Sequence, residues 1–251
     1  MSGHSKWATT KHKKGALDKA RGKLFAKLIR QVEVAAREGG GDLDGNPTLR
    51  TMFQKARDAS VPMDTIERAI KRGTGELEGV RYEHVSYEGY APCGVAVIVE
   101  CLTDNRNRTG ADVRSIFSKN GGSTAEPGAV SWQFERKAVV VVPRRPGASE
   151  DDLMLVAAEA GADDVVDNGD GWDVVAPPGE LPAVRAAIEG QGWAVSSADL
   201  QMVPSQSVVI DNEADARRIL RLIDLLDDHD DVQSVWSNFE IPDSVMDLVE
   251  V

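Results

Sequence analysis

The stretch Lys137-Ala-Val-Val-Val-Val142 opens a segment in which short β-branched runs alternate with helical patterns. Downstream, Asp163-Asp-Val-Val166 and Trp172-Asp-Val-Val-Ala176 flank a turn containing Asn168-Gly169, and an Asn-Gly pair between two apolar runs is a strong signal for a β-hairpin. Helical patterns lie on either side of this hairpin, and an extended run closes the segment: residues 151–160, 182–189 and 194–203. The order β-α-β-β-α-β predicts a ferredoxin-like domain over residues 137–203.

Strand patterns occur both before and after this segment, and neither set makes a complete sheet by itself. The earlier set is residues 82–87, 94–102 and 129–134, with a helix over 106–119; the later set is 207–210 and 232–239, with a helix over 213–226. Because backbone groups of a strand need hydrogen-bonded neighbours, we expect the two sets to share one sheet. This predicts a discontinuous α+β domain, residues 82–136 plus 204–251, into which the ferredoxin-like domain is inserted.

The first 81 residues show helical periodicity and no strand pattern. Between Gly22 and Arg37 the apolar residues cluster on one side of a helical wheel and basic residues gather on the other, which predicts an amphipathic helix with a basic stripe. Two further helical patterns follow before residue 74. Residues 1–81 are therefore predicted to form a three-helix domain, and the whole chain an α+β protein of three domains.

Specific residues mark the ends of the second and third helices. Asn46 is the expected cap of the second helix, with Pro47 in its first turn. In the third helix Asp64 and Glu67 have the spacing of a capping box, and Gly73 is the expected end.

Charge is distributed unevenly along the chain. The net charge is -12, yet residues 1–81 hold 17 Lys and Arg against 10 Asp and Glu, and residues 82–251 hold 12 against 31. Such a separation indicates a cationic binding module attached to an acidic body. The aspartates of the last third are interpreted as a solvated acidic surface.

The strongest functional signal is the cluster of cations near the amino terminus. Clustered Lys and Arg neutralise phosphates and release counterions, which gives affinity without reading a base sequence. Interleaved aromatic residues allow stacking on bases. A solvated basic tail is the alternative. The predicted nucleic-acid contacts are Lys6, Trp7, Lys11, His12, Lys13, Lys14, Lys19, Arg21, Lys23, Lys27 and Arg30.

A second candidate contact is the polar loop Thr103-Asp-Asn-Arg-Asn-Arg-Thr109, which joins a buried strand to a helix. Asn105, Arg106 and Arg108 are the residues expected to contact RNA or protein there. In the alternative interpretation Asp104 or Asn105 caps the helix and the arginines lie in water.

Neither catalysis nor a bound cofactor is indicated. No nucleophile with a base, no phosphate-binding glycine loop and no metal-ligand spacing occurs in the sequence, so we expect a non-enzymatic protein without metal, cofactor or small-molecule substrate. A metal-dependent nuclease with dispersed carboxylates is the alternative. The two cysteines, Cys93 and Cys101, are expected to be small core residues. Without a long apolar run or a signal peptide, a soluble cytoplasmic protein without membrane contact is expected.

Several segments together resemble one known family. They are Gly3-His-Ser-Lys-Trp7, Lys11-His-Lys-Lys14, residues 21–30, residues 62–73, Tyr87-Glu-Gly-Tyr90, residues 102–109 and residues 131–136. In these segments the chain is similar to the YebC/PmpR family, which includes mitochondrial translational activators of cytochrome oxidase subunit synthesis. The resemblance implies a helical first domain and two α+β domains. The chain departs from the family's sequence pattern at Cys93, where Gly is usual, and over residues 122–128.

The resemblance also implies a function in gene expression. Family members have been described as DNA-binding transcriptional regulators, and others as translation factors that act on the ribosome at difficult, proline-rich stretches. A DNA-binding transcriptional regulator is the first hypothesis, and a factor bound to ribosomal RNA or the ribosome is the second. A protein adaptor that binds no nucleic acid is the third.

Overall fold

The computed structural model describes residues 17–145 and 149–249. The helices are α1 (Leu17–Gly39), α2 (Pro47–Asp58), α3 (Met63–Thr74), α4 (Arg106–Lys119), α5 (Glu150–Glu159), α6 (Leu181–Gly190), α7 (Glu213–Asp227) and α8 (Asp243–Val249). The strands are β1 (Glu83–Tyr90), β2 (Ala96–Thr103), β3 (Ser123–Ala125), β4 (Phe134–Pro143), β5 (Asp164–Asp167), β6 (Gly171–Ala176), β7 (Ser197–Pro204), β8 (Val208–Val209), β9 (Val232–Ser237) and β10 (Phe239–Glu240). Within this part of the chain no helix is both long and apolar enough to span a bilayer.

Helices α1, α2 and α3 form the predicted helical domain around a core that includes Val32, Leu49 and Ile66. The start of α2 agrees with the sequence: the Asn46 side chain accepts a hydrogen bond from the Leu49 backbone N–H at 3.0 Å. The side-chain amide of Asn46 also donates to carbonyl oxygens near the end of α1, so one residue caps α2 and fixes the preceding loop.

Two details predicted for α3 are wrong. The residue that precedes the helix is Pro62, which offers no side-chain cap, so Asp64 and Glu67 do not form a capping box. The helix continues to Thr74 and ends at Gly75, which has a left-handed backbone with φ 86°. Gly73 instead lies within the helix, where a Cβ atom would come within 2.4 Å of the Glu33 carbonyl oxygen. Gly73 therefore lets the backbones of α1 and α3 pack closely at this position.

The middle sheet combines strands from both sides of the ferredoxin-like segment. Its order is β3-β1-β2-β9, and β9 from the end of the chain pairs antiparallel with β2. Helices α4 and α7 cover one face, where Phe117, Leu222 and Leu226 join the apolar side chains of β2 in a buried core. The short strands β8 and β10 pair in parallel beside it.

The inserted segment forms an antiparallel sheet with the order β5-β6-β4-β7, packed against α5 and α6. In chain order its elements are β4-α5-β5-β6-α6-β7, the predicted ferredoxin-like pattern. The α+β fold class is therefore confirmed. The exact domain boundaries stay predictions.

The strand predicted over residues 129–134 is wrong. Residues Ser131–Gln133 form a 3-10 turn, and strand β4 begins only at Phe134. From there β4 continues without a break to Pro143 and pairs with β7 from Phe134 to Val141, so it crosses the predicted boundary at residue 136. The short edge strand β3 was not predicted, because three residues carry too little periodicity to identify.

The prediction that both cysteines are core residues is correct for one of them. Cys101 is buried in β2, whereas Cys93 is exposed in the turn between β1 and β2. Its backbone has φ 63° and ψ 16°, the left-handed region in which glycine has no steric cost. The departure from the resembled family at this position therefore places a Cβ atom where the backbone favours none.

We expect Cys93→Gly to raise the free energy of unfolding by about 0.5 to 1 kcal/mol, because relief of the left-handed strain exceeds the added entropy of the unfolded chain. Urea denaturation measures the change. Cys93→Ala is the matched control, since it removes the thiol but keeps the strained Cβ atom. A glycine variant no more stable than the alanine variant would contradict this expectation.

Candidate nucleic-acid interface

The structure describes only part of the predicted cationic cluster. Six of its members lie outside the described residues: Lys6, Trp7, Lys11, His12, Lys13 and Lys14. Lys19 lies on α1, but its side chain is not described. The side chains that can be placed are Arg21, Lys23, Lys27 and Arg30, all on α1.

Two of these lysines contact the carboxyl end of α7. The Lys23 ammonium donates to the Asp228 carbonyl oxygen at 2.9 Å and lies 3.2 Å from its carboxylate. One helical turn along α1, Lys27 donates to the Asp227 carbonyl oxygen at 2.8 Å and to its carboxylate at 3.0 Å. The end of a helix carries unpaired carbonyls and a partial negative charge, and α7 has no basic residue in its own last turn. Helix α1 supplies these missing cations.

Arg30 extends the same contact. Its guanidinium donates to the Asp230 carbonyl oxygen at 2.5 Å and to the Asp231 carboxylate at 3.3 Å. It also lies 5.4 Å from the centre of the Tyr82 ring. Three of the predicted phosphate contacts are therefore paired with residues 227–231 of the same chain, which are the last residue of α7 and the turn after it. We call this segment the acidic loop.

Asp231 is 4% exposed and lies at the centre of a buried hydrogen-bond network. Its second carboxylate oxygen accepts from Thr109 at 2.7 Å, Arg108 at 2.9 Å and Thr103 at 3.2 Å, while the first faces Arg30. Burial raises the pKa of this carboxyl, but the hydrogen bonds from Thr109 and Arg108 and the charge of Arg30 lower it by more. The interpretation of the late aspartates as a solvated surface is wrong for this residue.

The polar loop over residues 103–109 holds a cap as well as this network. Asn105 caps α4, accepting a hydrogen bond from the Arg108 backbone N–H at 3.1 Å, as the alternative interpretation expected. Arg108 is not left in water, since it pairs with Asp104 at 2.8 Å and with Asp231. Arg106 is exposed, and among the described residues it makes no ion pair. The structure thus joins the two predicted clusters through Arg30, Asp231 and Arg108.

Arg21 lies near the start of α1, on the side of the chain from which the undescribed cations lead. It is exposed, and its guanidinium lies 5.4 Å from the centre of the Phe25 ring. Among the cluster members whose side chains are described, it is the one that forms no ion pair with another described residue. By helical spacing, Arg21 lies on the opposite side of α1 from Lys23, Lys27 and Arg30.

The helical domain also pairs its charges with the ferredoxin-like segment. Lys55 on α2 lies 2.6 Å from the Asp199 carboxylate, and Asp58 at the end of α2 lies 3.0 Å from Arg185. A cleft of about 210 Å³ opens beside the first pair, where α1, α2 and both sheets meet. Within the described ranges, no group of three His, Cys, Asp or Glu side chains is arranged to hold a metal ion.

A buried carboxylate fixes the loop that carries the most exposed of the described tryptophans. Glu88 accepts hydrogen bonds from the backbone N–H groups of Gly128, Val130 and Ser131 at 2.8, 2.6 and 3.0 Å. Burial raises the pKa of Glu88, but these donors lower it by more, so its pKa lies below the ordinary value. Trp132 follows directly, 76% exposed, with its ring N–H donating to Ala129. Its aromatic faces are open to a partner.

Replacing Glu88 with Gln should lower the free energy of unfolding by about 1 to 3 kcal/mol, because one of two oxygen acceptors becomes an NH2 group beside backbone donors. Guanidinium denaturation measures the loss. Glu83→Gln, an exposed change on the same strand, should cost under about 0.5 kcal/mol. Equal losses in the two variants would show that the buried hydrogen bonds to the loop contribute little.

The sequence did not identify the acidic loop as part of the interface. The signal was present in Asp227-Asp-His-Asp-Asp231, which places acidic residues where a helix ends although cations are favoured there. Its partners could not be found from the sequence, since Lys27 and Asp227 are 200 positions apart.

Comparison with known proteins agrees with this architecture. Residues 5–76 match the family described as TACO1/YebC protein N-terminal domain, and residues 82–239 match TACO1/YebC second and third domain. A probable transcriptional regulatory protein of Parafrankia sp. is 56% identical, with 99% of each chain covered. Another from Halothermothrix orenii is 53% identical, also with 99% of each chain covered.

A solved structure shows the same fold. The crystal structure of a conserved hypothetical protein, Aq1575, from Aquifex aeolicus aligns with a TM-score of 0.84 and 46% sequence identity, covering 93% of this chain and 96% of that one. The names of the relatives describe regulators rather than enzymes. Both family matches and the full-length relatives show that this chain belongs to the TACO1/YebC family.

Proposed function

We propose that this protein is a non-enzymatic, nucleic-acid-binding regulator of gene expression that acts on DNA. The observation that carries the proposal is the separation of charge, with 17 basic against 10 acidic residues in the first 81 and an acidic remainder. The relatives named as probable transcriptional regulatory proteins support a regulatory role.

First contact is made by the cations before α1 together with Arg21. They neutralise backbone phosphates, which gives affinity that depends steeply on salt and little on sequence. Lys23, Lys27 and Arg30 form a separate basic face on the other side of α1, and the acidic loop already pairs them. Arg106 offers a further exposed cation on the neighbouring domain.

Crosslinking of the full chain to nucleic acid in cells, followed by sequencing of what is attached, tests the choice of target. Recovery of DNA from a limited set of sites upstream of genes is the expected result. Recovery of ribosomal RNA in place of DNA would overturn the assignment to DNA while leaving nucleic-acid binding intact. Recovery of neither would overturn the proposal as a whole.

A translation factor that binds ribosomal RNA is the second candidate, and one observation favours it. Trp132 is 76% exposed, and RNA recognition relies on bases stacking against aromatic side chains. Sedimentation of cell extract at low salt separates the candidates, because only a ribosome-bound factor moves with the ribosomal fractions.

A further inference from the structure

The acidic loop occupies the face of α1 that a phosphate backbone would need. We propose that this contact is autoinhibitory: the loop acts as an internal competitor, and nucleic acid must displace it to reach Lys23, Lys27 and Arg30. The inference rests on the proposed function, since it describes the regulation of the same cationic face.

The loop offers α1 the kind of partner that a phosphodiester backbone offers. Each of the three cations contacts a main-chain carbonyl oxygen, and each also lies within 3.3 Å of a carboxylate of the loop. Anionic and partly anionic oxygens arranged along one helix face are what clustered cations find on nucleic acid. Occupation by the loop and occupation by phosphate therefore exclude each other at these atoms.

Repulsion strengthens the exclusion. Four of the five residues of the acidic loop are aspartates, so a phosphate that approaches α1 from this side meets like charge before it meets a lysine. The remaining residue, His229, lies 3.3 Å from Asp112 of α4 and adds a link between the loop and the middle domain. Binding at α1 therefore requires movement between the helical domain and the loop.

The ion pairs are weak enough to be displaced. The Asp228 and Asp227 side chains are 67% and 39% exposed, so water and salt screen their attraction to Lys23 and Lys27. Asp231 differs, because it is buried and held by the hydroxyl groups of Thr103 and Thr109. The structure assigns the displaceable part of the contact to residues 227–230 and its fixed base to Asp231.

The test removes charge from the displaceable part alone. The loop variant combines Asp227→Asn, Asp228→Asn and Asp230→Asn, and leaves Asp231 unchanged. The matched control combines Glu126→Gln, Asp151→Asn and Glu159→Gln, which are exposed and make no ion pair among the described residues. Both changes alter net charge equally, so only the loop variant weakens the contact with α1.

Affinity is measured by fluorescence anisotropy with a labelled single-stranded RNA and a duplex DNA of equal length, at about 100 mM salt. We expect the loop variant to bind about tenfold more tightly than the control, the gain available if the open state is about a tenth of the population. Adding Lys23→Gln and Lys27→Gln to the loop variant should abolish that gain, because the released lysines are its source.

The outcomes separate the two proposals. If wild type binds and the loop variant matches the control, autoinhibition is wrong. A gain that survives Lys23→Gln and Lys27→Gln also overturns it, since the loop then acts by repulsion at a distance. If no form binds either probe at low salt, the proposed function itself fails. Should thermal melting show the triple variant to be unfolded, Asp228→Asn alone replaces it, with Asp151→Asn as its control.

Discussion

Replacement of Asp231 with alanine is expected to lower the free energy of unfolding by about 3 kcal/mol, because it leaves two arginines and two buried hydroxyls without their shared acceptor. Loss of one partner from a fully buried ion pair costs more, but Arg108 is half exposed and water screens part of its charge. The network joins α4, β2, the acidic loop and α1. The variant should therefore loosen the helical domain as well as the middle sheet.

Chemical denaturation of the two proteins side by side gives the difference. Asp230→Ala is the matched control: it lies next in the chain, is exposed, and contributes its main-chain carbonyl rather than its side chain to Arg30. Its cost should stay under about 0.5 kcal/mol. Equal costs for the neighbouring substitutions would mean that the buried network does not stabilise the fold.

Asp231 also makes the stability of the protein depend on pH. Because the pKa of Asp231 is lower in the folded state, the carboxylate stabilises the protein above its unfolded pKa of about 4. That stabilisation is lost as pH falls from there through the folded pKa. The difference in stability between wild type and Asp231→Asn should thus be constant near neutral pH and shrink below about pH 4. A difference that grows on acidification would contradict the lowered pKa.

Neutralising the amino-terminal lysines should have the largest effect on binding. The combined variant Lys11→Gln, Lys13→Gln and Lys14→Gln is expected to lose about a hundredfold to a thousandfold in affinity for nucleic acid at about 100 mM salt, since each phosphate contact contributes roughly tenfold there. Stability should not change, because none of these lysines belongs to a packing pattern in the sequence. Anisotropy with the RNA and duplex probes described above measures the loss.

The control for this variant removes three cations from the acidic body. Lys119→Gln, Arg218→Gln and Arg221→Gln are exposed positions that change net charge by the same amount. They should alter affinity by less than about threefold, an effect of net charge alone. If the two triple variants lose affinity equally, the position of the charge does not matter and the amino-terminal site is wrong. If neither variant changes the activity of the protein in gene expression, that result favours the hypothesis of a protein adaptor that binds no nucleic acid.

Much of the fold could be predicted because its signals are local. The ferredoxin-like order followed from β-branched runs, the Asn168-Gly169 turn and helical periods within one segment. The cap at Asn46 followed from its position before Pro47. The failures occurred where tertiary contacts decide the local structure. Residues 129–134 have a strand-like composition, but the Glu88 carboxylate accepts hydrogen bonds from the backbone N–H groups of Val130 and Ser131, and of Gly128 just before them, which holds this stretch in a loop.

Only the basic half of the candidate site could be predicted from the sequence, and the acidic loop that pairs with it could not. The basic face of α1 was visible in the sequence because Lys23, Lys27 and Arg30 recur at helical spacing. The partner of that face was not visible, since it belongs to a loop two hundred positions away. Charge in a sequence shows where a cation lies and gives no information on what already pairs with it. Helix caps and hairpins can be predicted from residues that are neighbours in the sequence. The network around Asp231 forms only in the complete fold, so it could not be predicted in this way.

The dependence of affinity on salt tests most directly whether the amino-terminal cations meet a phosphate backbone. For the full chain, the logarithm of the binding constant for duplex DNA or single-stranded RNA should fall linearly with the logarithm of salt concentration. The slope of the variant lacking Lys11, Lys13 and Lys14 should be shallower by about two to three, close to the loss of three phosphate contacts. Identical slopes for the two proteins, or no measurable binding by wild type at about 50 mM salt, would contradict that role.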